Sequence, residues 1–171
     1  MAKAAVSLSG RDILDLSSLS VEEYDLIMKT AAEMKKILKR DIKKVPSLRG
    51  KSIVNLFYEN STRTRSSFEL AGKYLGADVI NITKSVSSMT KGESMRDTLL
   101  TVSAMGVDAV IIRDSSEGAA LFASKVMSPN VKVPVVLNAG DGAHAHPSQA
   151  LLELFTLKEA GKNIKGMKYV I

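Results

Sequence analysis

The chain of 171 residues contains no cysteine and no tryptophan, only four prolines and only two histidines. Without cysteine there can be no disulfide framework, no thiolate metal site and no cysteine nucleophile. With four tyrosines and four phenylalanines as its only aromatics, it is poor in the interleaved rings on which single-stranded nucleic acids stack. No run of about 18 consecutive apolar residues occurs, so no membrane-spanning helix and no membrane partner are expected. Met1 to Gly10 lacks the apolar core of a signal peptide, and a soluble, cytoplasmic protein is the expectation. Also absent are Gly-x-x-x-x-Gly-Lys-Ser/Thr, Gly-x-Gly-x-x-Gly and Gly-x-Ser-x-Gly, which disfavours an ATPase, a dinucleotide enzyme and a serine hydrolase.

What is present suits one ordinary domain, with 45% apolar residues and a formal charge of +6. That charge fits an anionic ligand, and nucleic acid would account for it equally well. Much of it is local: Lys35, Lys36, Lys39, Arg40, Lys43 and Lys44 crowd the end of one predicted helix and the linker behind it. That helix opens on a capping box, Ser20-Val21-Glu22-Glu23, and carries Tyr24, Ile27, Met28, Ala31 and Leu38 on one face. Cations at a helix carboxyl end complement its dipole, so a solvated helix end explains the cluster.

From Lys51 onward the pattern alternates. Strand-like runs are Ile53 to Phe57, Asp78 to Ile82, Ala109 to Ile112 and Val133 to Leu137. Helix-like runs lie between them: Arg63 to Leu75, Met95 to Met105, Glu117 to Met127 and Pro147 to Ala160. Such alternation predicts an α/β fold, a parallel sheet of about four strands flanked by helices on both faces. In these sheets ligands bind beyond the carboxyl ends of the strands. The loops after Phe57, Ile82, Ile112 and Leu137 are therefore where a site is sought.

The first of those loops carries the densest chemistry. Ser61-Thr62-Arg63-Thr64-Arg65 lies where a strand ends and a helix begins, with Phe68, Ala71, Gly72 and Leu75 forming the helix stripe. Unpaired N–H groups and the positive end of the dipole meet there. Hydroxyls and guanidiniums at that point make a phosphate cradle, with arginine as the forked donor. The alternative is a capping serine with surface arginines. The loop after Ile82 is long and polar, and its Lys91 could close over a polyanion. Arg113 follows Ile112 on the ligand side of the sheet. After Leu137 comes Asn138-Ala139-Gly140-Asp141-Gly142-Ala143-His144-Ala145-His146, a tight turn leading to Pro147 at the first position of a helix. His146 is thereby placed at the helix N-cap, where a neutral imidazole can donate to a carbonyl. Gln149, one turn in, can accept from an amide NH2. His144 and His146 lack a third metal ligand nearby, and no metal is expected.

Ser61-Thr62-Arg63-Thr64-Arg65 followed by Ser67-Phe68-Glu69 resembles the carbamoyl-phosphate motif of the aspartate and ornithine carbamoyltransferases. Lys91-Gly92-Glu93-Ser94 with Asp97-Thr98 is similar to the lysine loop of that family. His146-Pro147-Ser148-Gln149-Ala150-Leu151-Leu152-Glu153-Leu154 resembles its His-Pro-Thr-Gln-x-Leu-Leu-Asp-Leu motif, with Ser for Thr and Glu for Asp. The aspartate branch fits better than the ornithine branch, whose corresponding segment usually reads Phe-His-Pro-Cys-Gln.

The resemblance implies a reaction without cofactor or covalent intermediate, in which the amine of L-aspartate attacks the carbonyl of carbamoyl phosphate. It implies that Thr64, Arg113 and His146 polarise the carbonyl oxygen and that Gln149 fixes the NH2 end. Ser61, Thr62, Arg63, Thr64 and Lys91 would hold the phosphate, Arg113 would touch both ends, and Ser87 and Lys91 would reach a neighbouring subunit's site in a homotrimer. The expected organisation is a carbamoyl-phosphate domain over residues 1–165, with residues 166–171 beginning an absent second domain that binds the amino acid. Regulatory or pathway-enzyme partner chains are compatible with the family. Two alternatives stand beside this reading: the same half of an ornithine or other carbamoyltransferase, and a non-catalytic basic binding module.

Overall fold

The strand β1 (Ser52–Phe57) is buried over its last five residues, which is why it reads as a continuous apolar run and not as an alternation. In the computed structural model, which describes residues 6–84, 92–128 and 133–168, β1 lies between β2 (Asp78–Thr83) and β3 (Ala109–Asp114). A fourth strand, β4 (Val135–Asp141), completes the sheet in the order β2-β1-β3-β4. All three pairings are parallel. Five helices accompany them: α1 (Val21–Leu38), α2 (Thr62–Tyr74), α3 (Met95–Ala104), α4 (Ala119–Met127) and α5 (Pro147–Glu159). The expected α/β architecture is therefore present.

Alternate residues of the strands face opposite sides. Val54, Leu56, Val110, Ile112 and Val136 join Leu99 and Val102 of α3 and Ala120, Ala123 and Met127 of α4 in one buried cluster. Ile53, Phe57, Ile111 and Ala139 form a second, with Phe68 of α2 packed against it. Gly72 lets α2 come close to the sheet, since a Cβ there would sit 2.6 Å from Val79 Cγ2. A half-buried amide pair interrupts the second cluster: Nδ2 of the buried Asn55 donates to Oδ1 of the exposed Asn81 at 2.9 Å across the β1–β2 register. Asn81 in turn hydrogen-bonds Glu69 of α2, whose carboxyl is held below its ordinary value first by Lys73 and then by Asn81.

The spatial order reverses between β1 and β3: the chain leaves β1 outward to β2, then crosses back to β3. A crevice opens at such a reversal, beyond the carboxyl ends of the two strands. Both loops richest in chemistry, before α2 and before α5, lie at that end.

Four boundaries, in three elements, differ from the sequence expectation by two residues or more. β4 begins at Val135, because Pro134 lacks the N–H a ladder needs, and it runs on to Asp141 rather than stopping at Leu137. β3 likewise continues through Arg113 to Asp114, so Arg113 belongs to a strand and not to a loop. α4 starts at Ala119, after Gly118 in a left-handed conformation at the N-cap. The capping box of α1 is formed, with the Ser20 hydroxyl accepting from Glu23 N and the Glu23 carboxylate accepting from Ser20 N. Part of the basic cluster is paired: Lys35 meets Glu159 of α5, and Lys36 meets Glu33. A segment that sequence periodicity misses also covers the β4 edge. Ile13 bridges to Leu137 in parallel, and Asp12 Oδ1 accepts from Val136 N at 2.8 Å.

Candidate active site

Ser61 ends the extended chain after β1 and caps α2, its hydroxyl accepting from Thr64 N at 3.4 Å. The helix cap and the candidate phosphate cradle thus share one residue. The first turn of α2 holds no acidic residue, so the positive end of its dipole is left for an external anion. Thr62 and Arg63 are exposed there, and Thr64 is half-buried.

Arg113 reaches the same end of the sheet from β3, in register with Phe57 of β1. Its guanidinium is fixed from two sides: Nη1 donates to Ala139 O at 2.9 Å and Nη2 to Glu59 Oε1 at 2.6 Å. Its Nε is buried and has no hydrogen-bond partner among the described residues. Glu59 is a site residue that sequence reasoning passed over, although it directly follows Tyr58 at the strand's carboxyl end. Gly140 completes the seat. Its φ of +121° belongs to a region side chains avoid, and a Cβ would stand 2.7 Å from Arg113 Nη1 and 3.5 Å from His146 Cδ2.

The third contributor is the start of α5. His146 is its N-cap and Pro147 its first residue, as expected. The Ser148 hydroxyl lies 3.3 Å from His146 Nδ1. Burial, and then the nearby Arg113 cation, lower the His146 pKa below its ordinary value, against the opposing influence of Glu59 and Glu153. The imidazole is therefore neutral near pH 7, a donor at one nitrogen only. Gln149 Nε2 donates to Glu153 Oε1 at 2.8 Å, which commits the amide nitrogen and leaves its oxygen as the acceptor. Glu153 is the second residue whose part in the site the motif alone did not reveal. His144 turns away from His146 and meets the Asp141 carboxylate at 3.0 Å. Among the described residues no group of three or more His, Asp or Glu could hold a metal ion.

These elements converge. One cavity of about 350 Å³ is lined by Arg63, Thr64, Ser67, Phe68, His146, Ser148 and Gln149. A second, of about 330 Å³, lies on the other side of the α2 amino end and is lined by Glu59, Ser61, Thr62, Arg65 and Thr83. Arg113, Gly140 and His146 are contiguous, so strand, turn and both helix ends share one neighbourhood. A third hollow between α1 and α2 is lined mainly by apolar side chains, among them Met34, Ile37, Leu38 and Leu70, with Lys43 and Ser67 as its few polar groups. Of the candidate residues, Ser87 and Lys91 lie outside the described residues. Chemically, the convergence supplies cationic donors and a helix amino end for a phosphate, beside a neutral histidine and an amide oxygen for a small planar group.

Comparisons with known proteins point to one family. Residues 11–159 match the family model described as aspartate/ornithine carbamoyltransferase, carbamoyl-P binding domain. The chain is 55% identical over 164 residues to the aspartate carbamoyltransferase catalytic subunit of Moorella thermoacetica, covering 96% of this chain and 52% of that protein. It is 50% identical over 162 residues to the corresponding subunit of Corynebacterium glutamicum, covering 94% and 52%. Among solved structures, the catalytic subunit of M. jannaschii aspartate transcarbamoylase superposes with a TM-score of 0.76 at 38% identity, covering 88% of this chain and 48% of that one. The Trypanosoma cruzi aspartate transcarbamoylase in complex with carbamoyl phosphate and aspartate gives a TM-score of 0.79 at 32% identity, covering 89% and 45%. The chain thus spans about half the length of the relatives it matches.

Proposed function

Because the chain belongs to the aspartate/ornithine carbamoyltransferase family, matching its carbamoyl-phosphate-binding domain, we propose that it binds carbamoyl phosphate. In our reading it forms that half of an aspartate carbamoyltransferase. The observation that carries this is the cavity shared by Arg63, Thr64, His146 and Gln149, since it brings a phosphate cradle and a carbamoyl-sized polar pocket into contact. Ser61, Thr62, Arg63 and Thr64 hold the phosphate at the α2 amino end. Thr64, Arg113 and His146 polarise the carbonyl oxygen and hold the oxyanion as it develops. With the Ser148 hydroxyl donating to Nδ1, the His146 proton sits on Nε2, free to point at that oxygen. Gln149, its nitrogen tied to Glu153, offers its oxygen to the NH2 group.

The amine of L-aspartate attacks the carbonyl carbon, a C–N bond forms, and the C–O bond to phosphate breaks. The departing phosphate, steadied by Arg63, accepts the proton lost by the amine. Products are N-carbamoyl-L-aspartate and inorganic phosphate, the step that commits carbamoyl groups to pyrimidine synthesis. Catalysis is positioning and electrostatics, with no group of the chain bonded to substrate. Arg113 must share its guanidinium between Glu59 and the ligand, so Glu59 neutralises the site until substrate enters. L-aspartate is bound by residues outside this chain, in the remaining half of the relatives' length. Ser87 and Lys91 act across a subunit boundary in a homotrimer.

The aspartate branch is favoured over the ornithine branch by the relatives named above. Calorimetric titration of the chain with carbamoyl phosphate, beside an Arg63→Ala variant, tests the reading. Saturable binding that disappears in the variant supports it. A folded chain that does not bind, or binds equally with and without Arg63, overturns it and favours a basic binding module, whose polynucleotide affinity would fall with salt.

A further inference from the structure

The turn that delivers His146 is held by a carboxylate to which the reaction assigns no part. Asp141, at the end of β4, is 1% exposed. Its Oδ2 accepts from Gly118 N at 3.0 Å. Its Oδ1 accepts from Asn138 Nδ2 at 2.9 Å and from Ala145 N at 3.1 Å. The His144 ring nitrogen Nδ1 lies 3.0 Å from Oδ2 and 3.1 Å from Oδ1. The Asp141 backbone adds two more contacts, its N donating to Ala145 O and its O accepting from His144 N, each at 3.1 Å.

Two consequences follow from this geometry. First, both backbone polar groups of Ala145 are bonded to Asp141, which ties down the peptides on either side of Ala145, including the one that leads into His146. Second, the same carboxylate joins β4, the amino end of α4 at Gly118 and the turn into α5. Asn138 extends the frame, its Oδ1 accepting from Gly140 N and its Nδ2 donating to Leu14 O, both at 2.8 Å. Gly140 in turn borders the Arg113 guanidinium and the His146 ring. A carboxylate is needed because it accepts at both oxygens, whereas an amide would turn N–H against N–H at one of them and leave buried donors unpaired.

We propose that Asp141 is a positioning residue for carbamoyl recognition, clamping the β4–α5 turn so that His146 meets the carbonyl end of the ligand. This rests on the function proposed above. It also separates the two ends of the site: the phosphate cradle on α2 is independent of Asp141, and the carbamoyl end depends on it.

The test compares the wild-type chain with Asp141→Asn and His144→Ala, titrating each with carbamoyl phosphate and with inorganic phosphate. His146 is followed by proton NMR in the same proteins, where only two imidazoles contribute and His144→Ala assigns them. Asp141→Asn should weaken carbamoyl phosphate about tenfold and leave inorganic phosphate unchanged, while moving the His146 ring resonances. His144→Ala removes an exposed partner of the clamp and should shift the same preference by about threefold. A folded Asp141→Asn that keeps the wild-type preference and an unmoved His146 signal overturns the proposal, as does equal weakening of both ligands. If Asp141→Asn fails to fold, wild-type values in His144→Ala overturn it. A wild-type chain that binds neither ligand overturns the functional reading instead, and the His146 resonances still report whether Asp141 sets the turn.

Discussion

Thirteen buried apolar residues, among those described, form the cluster between the sheet and α3 and α4, against five in the cluster beneath α2. The first is wholly aliphatic apart from Tyr58, with Leu56, Leu99, Val110, Ala123, Met127 and Val136 fully enclosed. The second is interrupted by the Asn55–Asn81 amide pair and its link to Glu69. On that side Leu38, Leu70 and Leu152 are about half exposed, around hollows shared by α1, α2 and α5. One side of the sheet therefore supplies stability through dense packing. The other packs less densely, and the candidate ligand-binding groups carried by helices stand at the starts of α2 and α5 on that side. Chemistry resides on the side that is less well filled.

This contrast can be broken or sharpened experimentally. The largest effect should come from the dense side: Leu99→Ala leaves a cavity and costs about 2–5 kcal/mol by denaturant unfolding, while ligand affinity of the folded protein stays the same. Loss of affinity without loss of stability in this variant would abolish the distinction. On the open side Arg63→Ala should weaken carbamoyl phosphate about 100-fold, or roughly 2.7 kcal/mol, with no change in melting temperature. Gly140→Ala should cost about tenfold in affinity by calorimetry, because its Cβ falls where the Arg113 guanidinium lies and its φ suits only glycine. Glu153→Ala frees the Gln149 amide to rotate, with an expected loss of about threefold.

The smallest effect concerns pH. The folded pKa of His146 is lowered, first by burial and then by Arg113, so the unfolded chain takes up the proton before the folded one does. His146 then contributes stability above its ordinary pKa of 6.5, and that stability is lost as pH falls through the lower folded value. A His146→Gln variant should show a shallower fall in melting temperature below about pH 6.5. An unchanged slope would contradict the assigned environment.

The architecture was legible because strands of Val and Ile alternate with amphipathic helices, and the capping residues Ser20 and Ser61 mark helix starts by local chemistry alone. Ser61 to Thr64, His146 and Gln149 were legible for a similar reason, each standing at a strand-to-helix junction. The end of β4 was not. Asn138, Gly140 and Asp141 are turn formers in isolation, and pairing with β3, with a register shift between Ile112 and Asp114, holds them extended. Arg113 was placed on the right end of the sheet, but its bond to Glu59 joins residues 54 positions apart and no local pattern carries it. The same applies to Asp141 and Gly118. Spacing reveals what one segment can do, whereas partners brought together by the sheet emerge only from the fold.

Hydrogen exchange of the chain with and without carbamoyl phosphate tests the central claim most directly. Added protection is expected at the start of α2, from Thr62 to Arg65, and in the β4–α5 turn through Gln149, with α3 and α4 unchanged. Protection confined to the α1–α2 hollow, or to the α3–α4 side of the sheet, would contradict it.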